Sequence, residues 1–420
     1  MGQRDVPRTP GGAAMSAATE PAPTAPVSAR NDERRAMAVA CGAHVLHDGY
    51  SDVIYVMLPV WQSEFGLGFA ALGLMKTVFS GALAGFQVPS GLLAERLGVP
   101  LVLAAGTALA GLGYALAGLS DGRLLLLLAL FVGGLGASTQ HPLGSSLIAH
   151  AFAGVRSRTA LGTYNFAGDI GKMTLPVAAS LLFLVLSWRH TLILLGGLGI
   201  VGSIAVFLLA PRLQISTPET SAVKSAVTHP PGRGYGFPLL LSIGMIDNAT
   251  RAAFLTFLPF VLTAKGASLP TVGIALTLVF AGGAAGKLVF TFIGARIGTV
   301  PTVWLTETVT ALGMAGLLVL PLDAALMVLP AIGIALNGTS SVLYGSVPDV
   351  VDEKKRTRAF SVFYTGTIGS GALAPSLYGL LGDSIGVPSA VIVAAAIVLI
   401  TLPLTLALRP VLSLAETGAR

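Results

Sequence analysis

An all-α membrane protein, with twelve transmembrane helices in two pseudo-symmetric six-helix bundles, is the fold the sequence predicts, and three observations predict it. Only 10% of the 420 residues are charged while 54% are hydrophobic, against about a quarter charged in soluble domains, so lipid must surround most of the chain. Apolar stretches recur along its length, each near or above the ~20 residues a helix needs to cross the hydrocarbon. The second half repeats the first at a shift of 200 residues.

Taken in order, residues 1–35 are rich in Pro, Ala, Thr and Arg and lack an apolar core, which predicts a disordered cytoplasmic tail. Six spans follow near 36–62, 69–94, 99–119, 124–151, 158–186 and 190–210, giving a first bundle over 36–210. Residues 211–236, with Pro218, Pro230, Pro231, Gly232 and Gly234, read as a polar cytoplasmic linker. Six more spans near 237–263, 270–294, 300–320, 325–350, 358–382 and 387–409 make a second bundle over 237–409, and 410–420 reads as a second cytoplasmic tail.

The repeat is ungapped where it is clearest: the run from His47-Asp48 to Leu58-Pro59 lies over Asp247-Asn248 to Leu258-Pro259. Gly66, Gly73, Arg96, Gly98, Arg156, Arg158 and Tyr164 meet their own residue type 200 positions on. A parallel duplication of this kind sets two halves about an axis along the membrane normal, with a ligand site between them near the midplane. With the amino terminus inside, 18 of the 25 Lys and Arg fall in cytoplasmic segments and three, Arg123, Arg189 and Lys265, in outer loops. That bias places both termini in the cytoplasm of a bacterial inner membrane. Cys41 is the only cysteine, which excludes an internal disulfide and a thiolate metal cluster. The net charge of +6 sits between spans rather than along one face, so nucleic acid is not an expected partner.

Gly91-Leu-Leu-Ala-Glu95-Arg96-Leu-Gly98 after the second span, echoed by Gly294-Ala-Arg296-Ile-Gly298, resembles the loop between helices 2 and 3 of the major facilitator superfamily. Here Glu95 stands where the family usually has Asp, and Val99-Pro100 replaces its trailing basic residues. Gly162, Gly171 and Pro176 keep the spacing of the family's antiporter motif in the fifth span, with Leu175 replacing a Gly, whereas the fourth-helix Arg of drug-proton antiporters is absent from Leu124 to Ser138. Within the superfamily, His44-Val-Leu-His47-Asp48-Gly49 through Leu58-Pro59 to Glu64-Phe65-Gly66-Leu67, together with His141-Pro142, is similar to the fosmidomycin-resistance branch of exporters. The resemblance implies a secondary transporter, moving a small polar or anionic solute by alternating access in proton-coupled efflux. The alternative is a proton-coupled importer of a small carboxylate or related anion. No Gly-x-x-x-x-Gly-Lys-Ser/Thr loop offers ATP as a motor, and no nucleophile-base pair or metal triad is spaced for catalysis. The expected partners are a small-molecule substrate, protons and lipid, with no cofactor or metal and a monomer as the working unit.

Charges inside a bilayer cost several kcal/mol or more unless paired or hydrated, so those that remain mark candidate sites. On the first span His44, Asp48, Ser51, Asp52 and Tyr55 recur at helical spacing with His47 at the flank. His and Asp on such a stripe suit proton coupling, so His44, His47, Asp48 and Asp52 are candidates, with Asp169 of the fifth span. A static polar network is the competing reading. Asp247, Asn248 and Arg251 form the matching patch of the seventh span, where Arg251 either neutralises Asp247 or offers its fork to a carboxylate, phosphate or phosphonate. With Tyr55, Gln140, His141, Asn165 and Lys172 they make the expected substrate site, in which Asp169 and Lys172 are spaced to pair. The gating candidates are Gly91, Glu95, Arg96, Gly98, Arg296, Gly162, Gly171 and Pro176. Lys76, Lys287 and Glu307 are expected to snorkel or to form structural ion pairs, and Asp349, Asp352 and Glu353 beside Lys354, Lys355 and Arg356 to form a solvated turn.

Overall fold

A computed structural model describes residue 2 and residues 27–152, 155–211, 235–351 and 356–418. They form sixteen helices that group into twelve rods. The first half holds α1 (Val27–Phe65), α2 (Phe69–Gly85) with α3 (Gln87–Leu97), α4 (Val99–Gly118), α5 (Arg123–Ala137) with α6 (Gln140–Ala151), α7 (Val155–Leu182) and α8 (Trp188–Leu209). The second holds α9 (Gly236–Ala264), α10 (Leu269–Ile297), α11 (Thr299–Val319), α12 (Leu322–Gly345) with α13 (Val347–Val350), α14 (Arg356–Ile385), and α15 (Val387–Val398) with α16 (Thr401–Gly418).

Two of the breaks follow from proline. Pro142 has no N–H to give the carbonyl of Ser138 and Pro403 none for Leu399, so rods four and twelve each part within one turn before the ring. The second rod bends by 42° between α2 and α3. The amino-terminal reading is corrected: α1 begins at Val27, inside the stretch expected to be disordered, while α16 runs through the expected second tail to Gly418. The early start is held by Arg156, which pairs with Glu33 at 2.5 Å, and by Arg35, which donates to the Leu209 carbonyl at 3.0 Å. The linker over 212–234 and the expected turn at 352–355 lie outside the described residues.

By length and apolarity seven rods qualify as membrane spans, or eight with the bent α2–α3 pair. The four that do not are α1, α7, α9 and α14, and under the 200-residue shift they are two matched pairs, α1 with α9 and α7 with α14. Large apolar side chains such as Val319, Val185 and Leu124 stand 83%, 78% and 72% exposed on the outside of the bundle, the exterior that lipid requires.

The halves share one core at one end and divide at the other. Gly66 and Gly266 mark the shared end, with φ of 60° and 88°; Gly98 and Gly298 mark the far end, with φ of 88° and 84°. Around the Gly66/Gly266 end one apolar cluster includes Trp61, Phe79, Phe257 and Tyr378 from both halves. Toward the far end each half keeps its own: Val102, Leu147 and Tyr164 in the first, Ile243, Leu343 and Phe363 in the second. The join is made by close backbone approach. A Cβ on Gly73 of α2 would land on the Pro375 carbonyl of α14, and one on Gly273 of α10 would land on Ser180 of α7, so the repeat puts the same device at both seams. Hydrogen bonds reinforce them: Asp383 accepts from the N–H of Phe69 and Ala70 at 2.6 and 3.0 Å, Ser376 donates to Thr77 at 2.8 Å, and Thr277 donates to the Met173 carbonyl at 2.6 Å.

Candidate functional site

Where the polar rods face one another the two halves enclose a cavity of about 240 Å³. α1 contributes Ser51, Asp52 and Tyr55, α2 Lys76, α7 Asp169 and Lys172, α9 Asn248 and Arg251, and α12 Asn337. The expectation of a wall from rods one, four, five and seven is therefore corrected in part: rods two, eight, ten and eleven also line it, and His141 and Gln140 of the fourth do not.

Asp48 is the hub of the first half. It is buried, and its carboxylate receives Lys172 Nζ at 3.2 Å, His44 Nε2 at 3.3 Å and His141 Nε2 at 3.6 Å. His44 Nδ1 lies 2.8 Å from the Tyr164 carbonyl, and its ring stacks on Tyr164 at 4.1 Å. Because that carbonyl only accepts, Nδ1 carries a hydrogen. Nε2 then faces Asp48 favourably only with a proton between them, on the imidazole or on the carboxyl. The ligand atoms of His44, Asp48 and His141 lie within 4.8 Å of one another, close enough for a metal ion. Lys172 already brings a positive charge to that carboxylate, so the cluster suits a proton better than a second cation. His47 stands apart, its Nε2 3.0 Å from the hydroxyl of Thr107 on α4, which itself donates to Leu103. Gln140 packs behind, reaching the Ala40 carbonyl and the Tyr164 hydroxyl at 3.4 Å, and Asn165 is exposed and does not line the cavity.

Three expectations about charges are corrected. Asp169 does not take Lys172 on its own helix; it takes Lys287 from the other half at 2.6 and 2.9 Å, which frees Lys172 for Asp48. Lys76 does not snorkel: it is buried, donates to the Ser51 carbonyl at 2.6 Å and sits 4.4 Å from the centre of the Tyr55 ring. Glu307 is 1% exposed and meets Asp247 within hydrogen-bond reach. Its place near the middle of the predicted 300–320 span, and the repeat that lays it over Thr107, were the signals for it.

Arg251 projects from α9 into the cavity. Its guanidinium donates to Asn337 Oδ1 at 3.0 Å and Asn248 Oδ1 at 2.9 Å and lies 3.5 Å from Asp247 Oδ2. Asn248 is anchored in turn by its amide on the Thr367 carbonyl. Two amide oxygens and one carboxylate thus aim a guanidinium fork at open space, the arrangement that receives an oxyanion.

Of the gating candidates, Glu95, Arg96 and Arg296 are exposed at the divided end, and Gly98 holds the positive φ of the α3–α4 turn. Gly91 and Gly162 have open space where a Cβ would stand, whereas one on Gly171 would meet the Val45 backbone, so Gly171 is what lets α7 close on α1. Pro176 lies within α7, next to the residues that receive Gly273.

The chain is similar over 244 residues, at 27% identity, to a probable L-galactonate transporter of Escherichia coli (strain K12), a match covering 54% of each chain. It is 28% identical over 172 residues to the fosmidomycin resistance protein of the same organism, covering 40% of this chain and 42% of that one. A probable sulfoacetate transporter of Cupriavidus necator matches at 28% over 148 residues, 35% of this chain and 34% of that one. The chain thus spans about half, or less, of the length of these curated relatives. Among solved structures, the nucleoside transporter NupG superposes with a TM-score of 0.76 at 12% identity, covering 89% of this chain and 99% of that one. A bacterial homolog to the human lysosomal transporter Spinster, inward-facing and unoccupied, superposes with a TM-score of 0.72 at 15% identity, covering 92% and 97%. The model of the Major Facilitator Superfamily matches residues 40–241 and again 240–417, once per half. With two matched six-rod halves around one charged cavity, the chain belongs to the Major Facilitator Superfamily.

Proposed function

We propose that the protein is a proton-coupled secondary transporter of a small organic anion, working by alternating access as a single chain in the bacterial inner membrane. One observation carries the reading: Asp48, the proton-holding hub, shares Lys172 with a cavity into which Arg251 also projects. An anion in the cavity is drawn to Lys172 and Arg251. As Lys172 turns to it, Asp48 loses its counter-charge and retains a proton in its place. Asp52 and Asp169 extend the titratable wall, and Tyr55, Asn248 and Asn337 supply uncharged polar contacts. The positive-inside bias sets both termini and the divided Gly98/Gly298 end toward the cytoplasm. Glu95, Arg96 and Arg296 are then placed to meet when that end closes.

Efflux is the direction favoured by the relative named for fosmidomycin resistance and by the Gly/Pro motif of α7. Import is a second reading with its own support: two relatives are named for organic anions, L-galactonate and sulfoacetate, and the charge exchange at Asp48 makes anion and proton bind together, which an inward proton gradient drives inward.

Purified protein in liposomes carrying a luminal pH dye separates the readings when L-galactonate, sulfoacetate or fosmidomycin is added outside. Co-transport acidifies the lumen and exchange makes it alkaline. A lumen unmoved by any of the three, while labelled anion still enters, ends the coupling part of the proposal.

A further inference from the structure

Of two buried carboxyl groups in the second half, Asp247 enters the scheme above only as a partner of Arg251 and Glu307 does not enter it. Asp247 on α9 and Glu307 on α11 are 3% and 1% exposed and lie within hydrogen-bond reach of each other. A carboxylate oxygen only accepts, so two carboxyl groups meet in this way only with a proton between them. Glu307 Oε1 has no partner and no solvent, which leaves an acceptor for the pair to satisfy. Two like charges placed together under lipid would have neither water nor a counter-charge apiece. The charged groups acting on the pair are each other and Arg251, and the Thr339 hydroxyl of α12 is the other polar contact of Glu307. α15, packed against both α9 and α11, carries no charged side chain.

We propose that Asp247 and Glu307 form a second proton-binding site, and that Arg251 ties its occupancy to the anion in the cavity. Arg251 stands between the two: its guanidinium lies 3.5 Å from Asp247 on one side and opens on the cavity on the other. With Arg251 on Asp247, one proton and one negative charge on the pair balance the guanidinium. When an anion draws the guanidinium forward, the pair takes up a second proton and becomes neutral. The one bond formed is the O–H of the second proton, given up by hydronium in the water, one for each anion engaged. This step rests on the anion-transport reading, but the resident proton does not, so the two are tested separately.

Infrared difference spectra of the full-length protein in lipid, with no anion present, read the resident proton as the carbonyl band of a buried carboxylic acid. Wild type is expected to show that band at neutral pH, Asp48→Asn to keep it, and Glu307→Gln to remove from wild type the part that Asp48→Asn keeps. Should Glu307→Gln not fold, Asp247→Asn reads the same pair. Arg251→Gln is expected to raise that part about twofold, because the pair then holds two protons in place of one. A band absent from wild type, or surviving undiminished in both Glu307→Gln and Asp247→Asn, overturns the site. A band unchanged by Arg251→Gln overturns its link to the cavity. Failure of sulfoacetate or L-galactonate to move the luminal dye in wild type, with the band behaving as expected, counts instead against the anion-transport reading.

Discussion

The two halves share a backbone plan but not a chemistry. In the first, α1 and α4 are joined by His47 and Thr107, whose ring nitrogen and hydroxyl lie 3.0 Å apart; 200 positions on, the same slots hold Asp247 and Glu307. The hub of the first half has no counterpart in the second, where His44, Asp48, His141 and Lys172 become Gly244, Asn248, Ser341 and Ala372. Ser51, in contrast, becomes Arg251. Duplication supplied equivalent positions, and divergence has left a His–Asp–Lys cluster beside the cavity in the first half and an arginine held by two asparagines in the second. Symmetry therefore predicts where a functional side chain stands, and asymmetry predicts what it does.

The sharpest way to break that division is Asp48→Asn. Solute accumulation driven by a pH gradient should fall to that of protein-free liposomes while solute binding persists; accumulation at the wild-type level would remove Asp48 from coupling. Arg251→Lys tests the second half. It keeps the charge but loses the fork, and should weaken anion binding roughly 10- to 100-fold, the worth of about 1.5–3 kcal/mol of charge-assisted hydrogen bonding. A change confined to maximal rate would place Arg251 outside the binding site. Gly73→Val and Gly273→Val test the symmetry itself, since each puts a side chain onto backbone or side chain of the facing helix. Both should lower the melting temperature by several degrees, as overpacking costs about 1–3 kcal/mol, and a normal melting temperature in either would show that the seams are not equivalent.

The smallest effect concerns an ion pair found in one half only. Arg189 donates to Glu64 at 2.6 Å, whereas the positions 200 on are Ala264 and Ser389. The Arg189 hydrogen bond holds the Glu64 carboxyl below its usual range. Its contribution is present above the ordinary carboxylate range and is lost as the pH falls through the lowered value. Exposure and salt keep it slight. Thermal melts of wild type and Glu64→Gln should differ slightly at neutral pH and converge in acid; divergence in acid would show the sign to be wrong.

Much of the fold was legible because its signals are local. Apolar length marks a span wherever it occurs, so each expected span overlaps one rod, and the repeat needs only a register. The stripe of α1 was legible for the same reason, as helical spacing fixes which of its residues share a face. Partners across helices were not. Lys172 sits three residues from Asp169 and is spaced to pair with it, yet the fold brings Lys287 from another half to Asp169. Glu307 reads from the sequence as a snorkelling or ion-paired residue because nothing in one helix shows that Asp247 faces it. The start of α1 at Val27 was not legible, since ion pairs such as Glu33 with Arg156 join segments far apart in the chain.

The seams at Gly73 and Gly273 have one more consequence. A lever is only as good as its fulcrum, and a pivot built of long side chains would absorb motion by changing rotamers. Helices resting glycine against carbonyl and hydroxyl have no such slack. On the alternating-access reading proposed above, a tilt begun at one mouth would reach the opposite mouth nearly undiminished, and a substitution in these bearings should spoil the stroke while leaving every charged residue in place.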